Sequence, residues 1–189
     1  MRMFVAVVPP VQAIEDIAEF LAPRRDADPA VRWTEPYQWH LTLAFLPEVS
    51  ARALDGLVER LSRASARRQV FEVTLSGSGA FPAPDRAKVL WLGASADPGD
   101  SLSRLATGVR AAAGKAGAAV EGGRFRPHLT LARLRRPFDA TRWLRILDTY
   151  DGRPWAATTI ELVESHLGQG RGGHPRYETI ASLGLDRQS

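Results

Sequence analysis

The pentapeptide His-Leu-Thr-Leu-Ala occurs twice in this chain, from His40 in WHLTLAFLP and from His128 in PHLTLARLR. The copies lie 88 positions apart, in a protein of 189 residues with only four histidines. Two further apolar segments recur at nearly the same interval. VTLSG at 73 and IELVE at 160 are 87 apart, and VAVV at 5 and VLWL at 89 are 84 apart. A near-constant offset that aligns three segments marks an internal duplication. The fold is thereby limited to two similar halves, about 1–84 and 85–189.

Hydrophobic spacing supplies the elements of each half. Met3–Val8, His40–Leu46 and Phe71–Ser76 read as strands, the last running into a loop GSGAFPAPDRA rich in Gly and Pro. Val11, Ile14, Ile17 and Leu21 fall at helical spacing behind Pro9–Pro10, and Leu54, Leu57, Val58 and Leu61 mark a second helix over 51–64. The order then repeats. Strands are expected at Val89–Leu92, His128–Leu134, Thr158–Val163 and Tyr177–Leu183. One helix carries Leu102, Leu105, Ala106 and Val109, and another, capped by Asp139, carries Trp143, Ile146 and Leu147. The expected architecture is α+β and bilobal: two mainly antiparallel sheets related by a pseudo-two-fold axis, each backed by helices. With 44% hydrophobic residues the chain can bury a core. A duplicated half needs its partner to cover its sheet, so residues 1–189 read as a single domain.

Composition removes several classes of function. There is no cysteine, hence no disulfide, thiolate metal site or Cys nucleophile. FVAVVPP is short, broken by two prolines and followed by acidic residues, which makes a poor signal peptide, and no apolar run is long enough to span a bilayer. A soluble, cytoplasmic, monomeric protein is expected. The net charge is +4, and apart from Lys88 and Lys115 every basic residue is arginine, whose planar guanidinium suits phosphate.

On a strand, side chains alternate faces, so His40 and Thr42 point one way and Leu41 and Leu43 the other; His128 and Thr130 stand likewise against Leu129 and Leu131. Packed about a two-fold axis, the two His-Thr faces can converge on one cleft. Two facing imidazoles, titrating near neutrality, can serve as acid and base at once. A phosphodiester displacement needs both roles, and the threonine hydroxyls can donate to the non-bridging oxygens where charge builds. Zinc is a competing use of histidine, but two imidazoles without a nearby carboxylate or thiolate fall short of the usual three ligands. No metal and no cofactor is expected.

The paired motifs, with RMFVAVVPP, RWTEPYQWHLTLAFLPE, GAFPAPDRAKVLWLG, RFRPHLTLARL and ELVESHLGQGRGGHPRYETI, resemble the 2H phosphoesterases, and particularly their RNA 2′,3′-cyclic phosphodiesterases once described as 2′-5′ RNA ligases. The resemblance runs over nearly the whole chain; LPE at 46–48 departs from the Leu-Gly common in the family. It implies His40 as proton donor, His128 as proton acceptor, Thr42 and Thr130 as phosphate-holding residues, and hydrolysis of RNA 2′,3′-cyclic phosphate ends to 2′-phosphates. Alternatives are small cyclic phosphates such as an ADP-ribose derivative, 2′-5′ linked oligonucleotides or their ligation, and a non-catalytic RNA-end binding module. Arg133 would suit phosphate, although alternation turns it from the cleft unless the strand bulges. Phe45, its equivalent, is a candidate for stacking on a base. Arg126 shares the His128 face across Pro127 and would add charge. GQGRGGHPR reads as a hairpin connection, with His166 and His174 non-catalytic.

Overall fold

The computed structural model describes residues 1–187. Strand β1 (Met3–Val7) leads into helix α1 (Val11–Leu21), which begins directly behind the two prolines. A three-residue strand β2 (Val31–Trp33), not anticipated from the sequence, precedes β3 (Leu41–Leu46), α2 (Leu54–Ala66) and β4 (Phe71–Phe81). The second half follows with β5 (Ala87–Asp97), α3 (Ser101–Lys115), β6 (His128–Phe138) and α4 (Thr141–Leu147). It closes with β7 (Trp155–Ala157), β8 (Thr159–His166) and β9 (Arg176–Gly184).

The helices bury the stripes that the spacing marked. Leu57 and Leu61 of α2, Leu102, Leu105 and Val109 of α3, and Leu147 of α4 are all buried. Each such leucine stabilises the fold by roughly 1.5–3 kcal/mol. In α1, Ile17 and Leu21 are buried, but Val11 in the first turn remains 66% exposed. Asp139 stands one residue earlier than a cap; its carboxylate accepts from the Thr141 backbone N–H at 2.9 Å and from the Thr141 hydroxyl at 2.6 Å.

The two expected sheets, β7-β4-β5-β6 and β3-β1-β8-β9, are both present. Their inner edges meet at one residue pair, Leu41↔Leu129, which makes a single nine-stranded sheet with β2 paired to β6 beside the main path. The order around this join is a palindrome of the duplication. Outwards from it run β6, β5 and β4 on one side and β3, β1 and β8 on the other. In each trio the outermost strand comes from the opposite half of the chain. Thus β4 pairs with β5 (Val73↔Ala96) and β8 with β1 (Val5↔Leu162). Helices cross over as well, since α3 packs against α2 and β3, and Tyr150 beyond α4 donates to Asp16 of α1 at 2.8 Å.

The expectation of a loop after Ser76 is corrected by the structure: β4 continues to Phe81. Gly77, at φ +71, lets the strand bulge between Leu75 and Ser78 rather than end. Gly79 is required for a different reason. The Trp91 indole lies so close over it that a Cβ would stand 2.1 Å from the ring. The glycine-rich stretch is thus a strand shaped to take an aromatic side chain. Among the described residues no helix is long and apolar enough to cross a membrane.

Because each half lends its third strand to the other, fragments 1–84 and 85–189 should not fold alone. Circular dichroism of each fragment is expected to show no cooperative thermal transition, and mixing the two should restore one. A cooperative transition in either isolated fragment would contradict the exchange.

Candidate active site

His40 precedes β3 and His128 opens β6, so both stand beside the Leu41↔Leu129 join. Carrying the antiparallel register one step either way sets His40 opposite Thr130 and Thr42 opposite His128. The two expected His-Thr faces therefore look into one space. It is a cleft of about 660 Å³ whose walls include His40, Thr42, Phe45, His128, Thr130 and Arg133.

Each imidazole is anchored by the same local device. His40 Nδ1 lies 2.6 Å from the Gln38 carbonyl oxygen, and His128 Nδ1 lies 2.7 Å from that of Arg126. A carbonyl only accepts, so both Nδ1 atoms carry hydrogen and both Nε2 atoms are left for chemistry. Arg126 thus serves through its backbone. Its side chain is exposed and absent from the cleft wall, contrary to expectation, because the strand begins only at His128 and alternation does not extend back across Pro127. Gln38 is itself fixed: its amide donates to the Pro175 carbonyl at 3.2 Å and its side-chain oxygen accepts from the Glu35 N–H at 3.2 Å.

Surroundings break the symmetry of the pair. The His40 ring lies flat on Phe4, centroids 4.5 Å apart, with Tyr177 edge-on at 5.7 Å. His128 meets the edge of Phe81 at 5.0 Å and Trp91 at 5.9 Å. Burial pulls the His40 pKa down to about 4, against the raising effect of the Gln38 carbonyl, and the charges of His128 and Arg133 act in the same direction as burial. Burial also lowers His128, opposed by the Arg126 carbonyl. In the ligand-free cleft both imidazoles are therefore neutral at pH 7, His40 the more firmly.

Arg133 reaches the cleft because β6 bulges. In its ladder with β5, Leu90 pairs with Ala132 and Trp91 with Thr130, leaving Leu131 as the extra residue. Leu131 and Ala132 are consecutively buried, and alternation restarts with Arg133 on the His128 face. The first motif bulges at the equivalent place: Val5 pairs with Ala44 and Ala6 with Thr42, Leu43 is extra, and Phe45 turns to the cleft. The alanine that ends both pentapeptides was the sequence signal for this, since a second consecutive inward residue must be small. Arg133 also bears on His40 and on Tyr177 across the cleft. Phe45 already carries the Arg2 guanidinium 4.3 Å over its ring.

Sequence reading missed other wall residues, among them Arg2, Phe4, Arg32, Thr34, Arg135 and Tyr177. Arg2 and Phe4 were accessible by alternation at the start of β1, and Arg135 follows Arg133 by two on β6; Arg32, Thr34 and Tyr177 are brought in by tertiary pairing. His174 also lines the cleft, from the β8–β9 connection, whereas His166 lies outside it. His166 forms the described cluster best suited to a metal, its Nε2 3.8 Å from Glu164 and 3.2 Å from Glu178. Arg176 pairs with the same Glu178 oxygen at 3.2 Å, so that carboxylate already has a cationic partner.

The sequence model of the LigT like Phosphoesterase family matches residues 7–91 and again 92–172. A protein of Aeropyrum pernix named RNA 2′,3′-cyclic phosphodiesterase is 38% identical over 105 residues. That match spans 56% of this chain and 58% of the relative, less than two thirds of its length. The Escherichia coli K12 protein of the same name is 32% identical over 90% of each chain. The crystal structure of E. coli LigT complexed with 3′-AMP is similar at a TM-score of 0.76, with 29% identity over 97% of both chains.

If the Arg133 guanidinium helps to hold His40 neutral, Arg133→Ala should raise the His40 pKa, read by NMR titration of the imidazole carbons. An unchanged midpoint would show that the guanidinium does not bear on that ring.

Proposed function

The chain belongs to the LigT-like phosphoesterase family, and from that membership we propose that it hydrolyses RNA 2′,3′-cyclic phosphate ends to 2′-phosphates. The observation that carries the proposal is the pair of Nδ1-anchored imidazoles presenting Nε2 to one cleft beside two threonines and an arginine. His128 Nε2 takes a proton from water as its oxygen bonds to phosphorus. The P–O3′ bond breaks opposite, and O3′ takes the proton held on His40 Nε2. Thr42 and Thr130 donate to the non-bridging oxygens, and Arg133 sets a fixed positive charge against the charge that develops there. Both proton transfers are made by imidazoles, so no step is assigned to a metal. The relatives' shared name, RNA 2′,3′-cyclic phosphodiesterase, supports this substrate class. We assign the same reading a cytoplasmic monomer, in keeping with a chain free of cysteine.

His40 must carry a proton that the empty cleft disfavours. The anionic phosphate supplies the compensation, since a negative charge within a few ångströms favours imidazolium. The sign follows for the pH profile. Free enzyme competent for both transfers holds one proton on the pair, and both imidazoles titrate below 6.5. Between pH 7 and 8.5 kcat/KM should fall about tenfold per pH unit, its limbs belonging to the coupled pair. The alkaline limb of kcat should lie higher, because bound phosphate raises the donor. A kcat/KM that climbs above pH 7 would reject the assignment.

The activity itself is tested by digesting cyclic-ended oligonucleotides, cyclic nucleotides and 2′-5′ linked oligonucleotides and identifying each product. His40→Ala and His128→Ala should each lower kcat by roughly two to four orders of magnitude, and the double variant should be little worse, because the residues act as a unit. Dialysis against EDTA should leave the rate unchanged. The product should resist an enzyme that removes only 3′-phosphates; complete dephosphorylation would reverse the leaving oxygen while keeping the two-histidine chemistry.

A further inference from the structure

Each bulge leaves one residue that the ladder it interrupts does not pair. The extra residues, Leu43 and Leu131, are buried and have no partner in the ladders of β1 and β5. An unpaired buried carbonyl costs about 1–3 kcal/mol, so each requires a donor from elsewhere. The donors come from the opposite halves of the chain. The Thr34 N–H donates to the Leu131 carbonyl at 2.8 Å. Its hydroxyl is shared between the Leu131 carbonyl at 2.9 Å and that of Thr130 at 3.0 Å. That hydroxyl in turn accepts from the buried Trp39 indole N–H at 2.9 Å, which fixes the direction of its own proton. On the other motif, Arg110 of α3 donates from Nε to the Leu43 carbonyl at 3.0 Å and from Nη1 to the Gly123 carbonyl at 2.9 Å.

We propose that Thr34 and Arg110 are positioning residues for the reaction: each holds, from the other half of the chain, the carbonyl freed by the bulge that follows a cleft threonine. The consequence reaches the substrate two residues further on. The bulge at Leu131 is what brings Arg133 onto the cleft face, and the bulge at Leu43 does the same for Phe45. Were either bulge to relax into regular pairing, a one-residue shift would turn every following side chain to the other face. Thr34 therefore acts on phosphate through Arg133, and Arg110 acts on the nucleoside through Phe45 and the Arg2 guanidinium stacked on it. Neither residue is given a proton or a bond to the reacting atoms. The chain has used different chemistry at two equivalent positions, a short hydroxyl braced by an indole and a long guanidinium reaching from a helix.

The inference rests on the proposed roles of Arg133 and Phe45, and its test reads binding rather than turnover. Dissociation constants for inorganic phosphate and for 2′-AMP are measured on the whole protein by NMR titration. Thr34→Val, which keeps the shape and removes the hydroxyl, should weaken both ligands roughly tenfold, whereas Thr34→Ser should bind like wild type. In an Arg133→Ala background the same Thr34→Val change should cost less than about twofold, because residues that act through one another are not additive. Arg110→Lys should weaken 2′-AMP while leaving inorganic phosphate unchanged, and its effect should vanish in Phe45→Ala. Losses that multiply in either double variant, or single variants that bind as wild type, overturn the inference. If Thr34→Val does not fold, the Thr34→Ser comparison and the Arg110→Lys pair decide it alone. Should Arg133→Ala and Phe45→Ala themselves leave both ligands untouched, the assignment of the cleft falls and the positioning roles fall with it. If those two weaken binding and Thr34→Val and Arg110→Lys do not, only the positioning roles are lost.

Discussion

One residue pair, Leu41↔Leu129, governs the arrangement of everything else. The inner strands β3 and β6 touch there and nowhere else in register, so the sheet is joined at the pseudo-two-fold axis and open to either side of it. A longer ladder would have closed the gap with backbone hydrogen bonds; no ladder at all would have let the lobes separate. With a single pair, the residues flanking it on both strands are held close and still face free space. Those residues are His40, Thr42, His128 and Thr130. The candidate constellation is thus a property of where two strands cross, and the leucines are its fixed point in the core.

The electrostatics follow from the same crowding. An imidazole enclosed by Phe4, Tyr177 and the neighbouring strand loses water, and a guanidinium and a second imidazole look at it from across the cleft. All of these disfavour its charged form while the cleft is empty. An anion alone among the expected ligands reverses the balance, because it satisfies the imidazolium and Arg133 together. On the proposed reading, preference for an anionic phosphodiester follows from the same desolvation that lowers the His40 pKa. A neutral ester of the same shape would meet a pair of uncharged bases.

Much of this was legible from the repeated pentapeptide, since an identical word at a matched offset fixes residue type, face and partner at once. Helices such as 11–21 were legible for a related reason: their apolar spacing is local. What escaped reading depended on departures from alternation or on tertiary pairing. Alternation placed Arg133 on the wrong face until a bulge was invoked, and it placed Arg126 on the right face although no strand exists there. The stretch from Gly77 to Phe81 reads as a loop by composition because Gly77 forms a bulge and Gly79 makes room for Trp91, features visible only when β4 and β5 are paired. Strand β2, three residues long, gives too little pattern to register, yet it carries Arg32 and leads to Thr34. His174 enters the cleft wall from the β8–β9 connection and Tyr177 from the start of β9, positions that no local pattern could give.

The exchanged outer strands also impose an order in time. As the chain leaves the ribosome, β1 emerges long before β8, with Val5 waiting for Leu162. Until β8 follows, β1 keeps one edge open, and β4 can pair with nothing until β5 has followed it. Open edges invite association with other chains, and pairings this distant in sequence close slowly. The nascent protein is therefore most vulnerable in the interval when a strand is made and its partner is not. Its cleft, walled by residues as far along as Tyr177, comes into being only after that segment has been made.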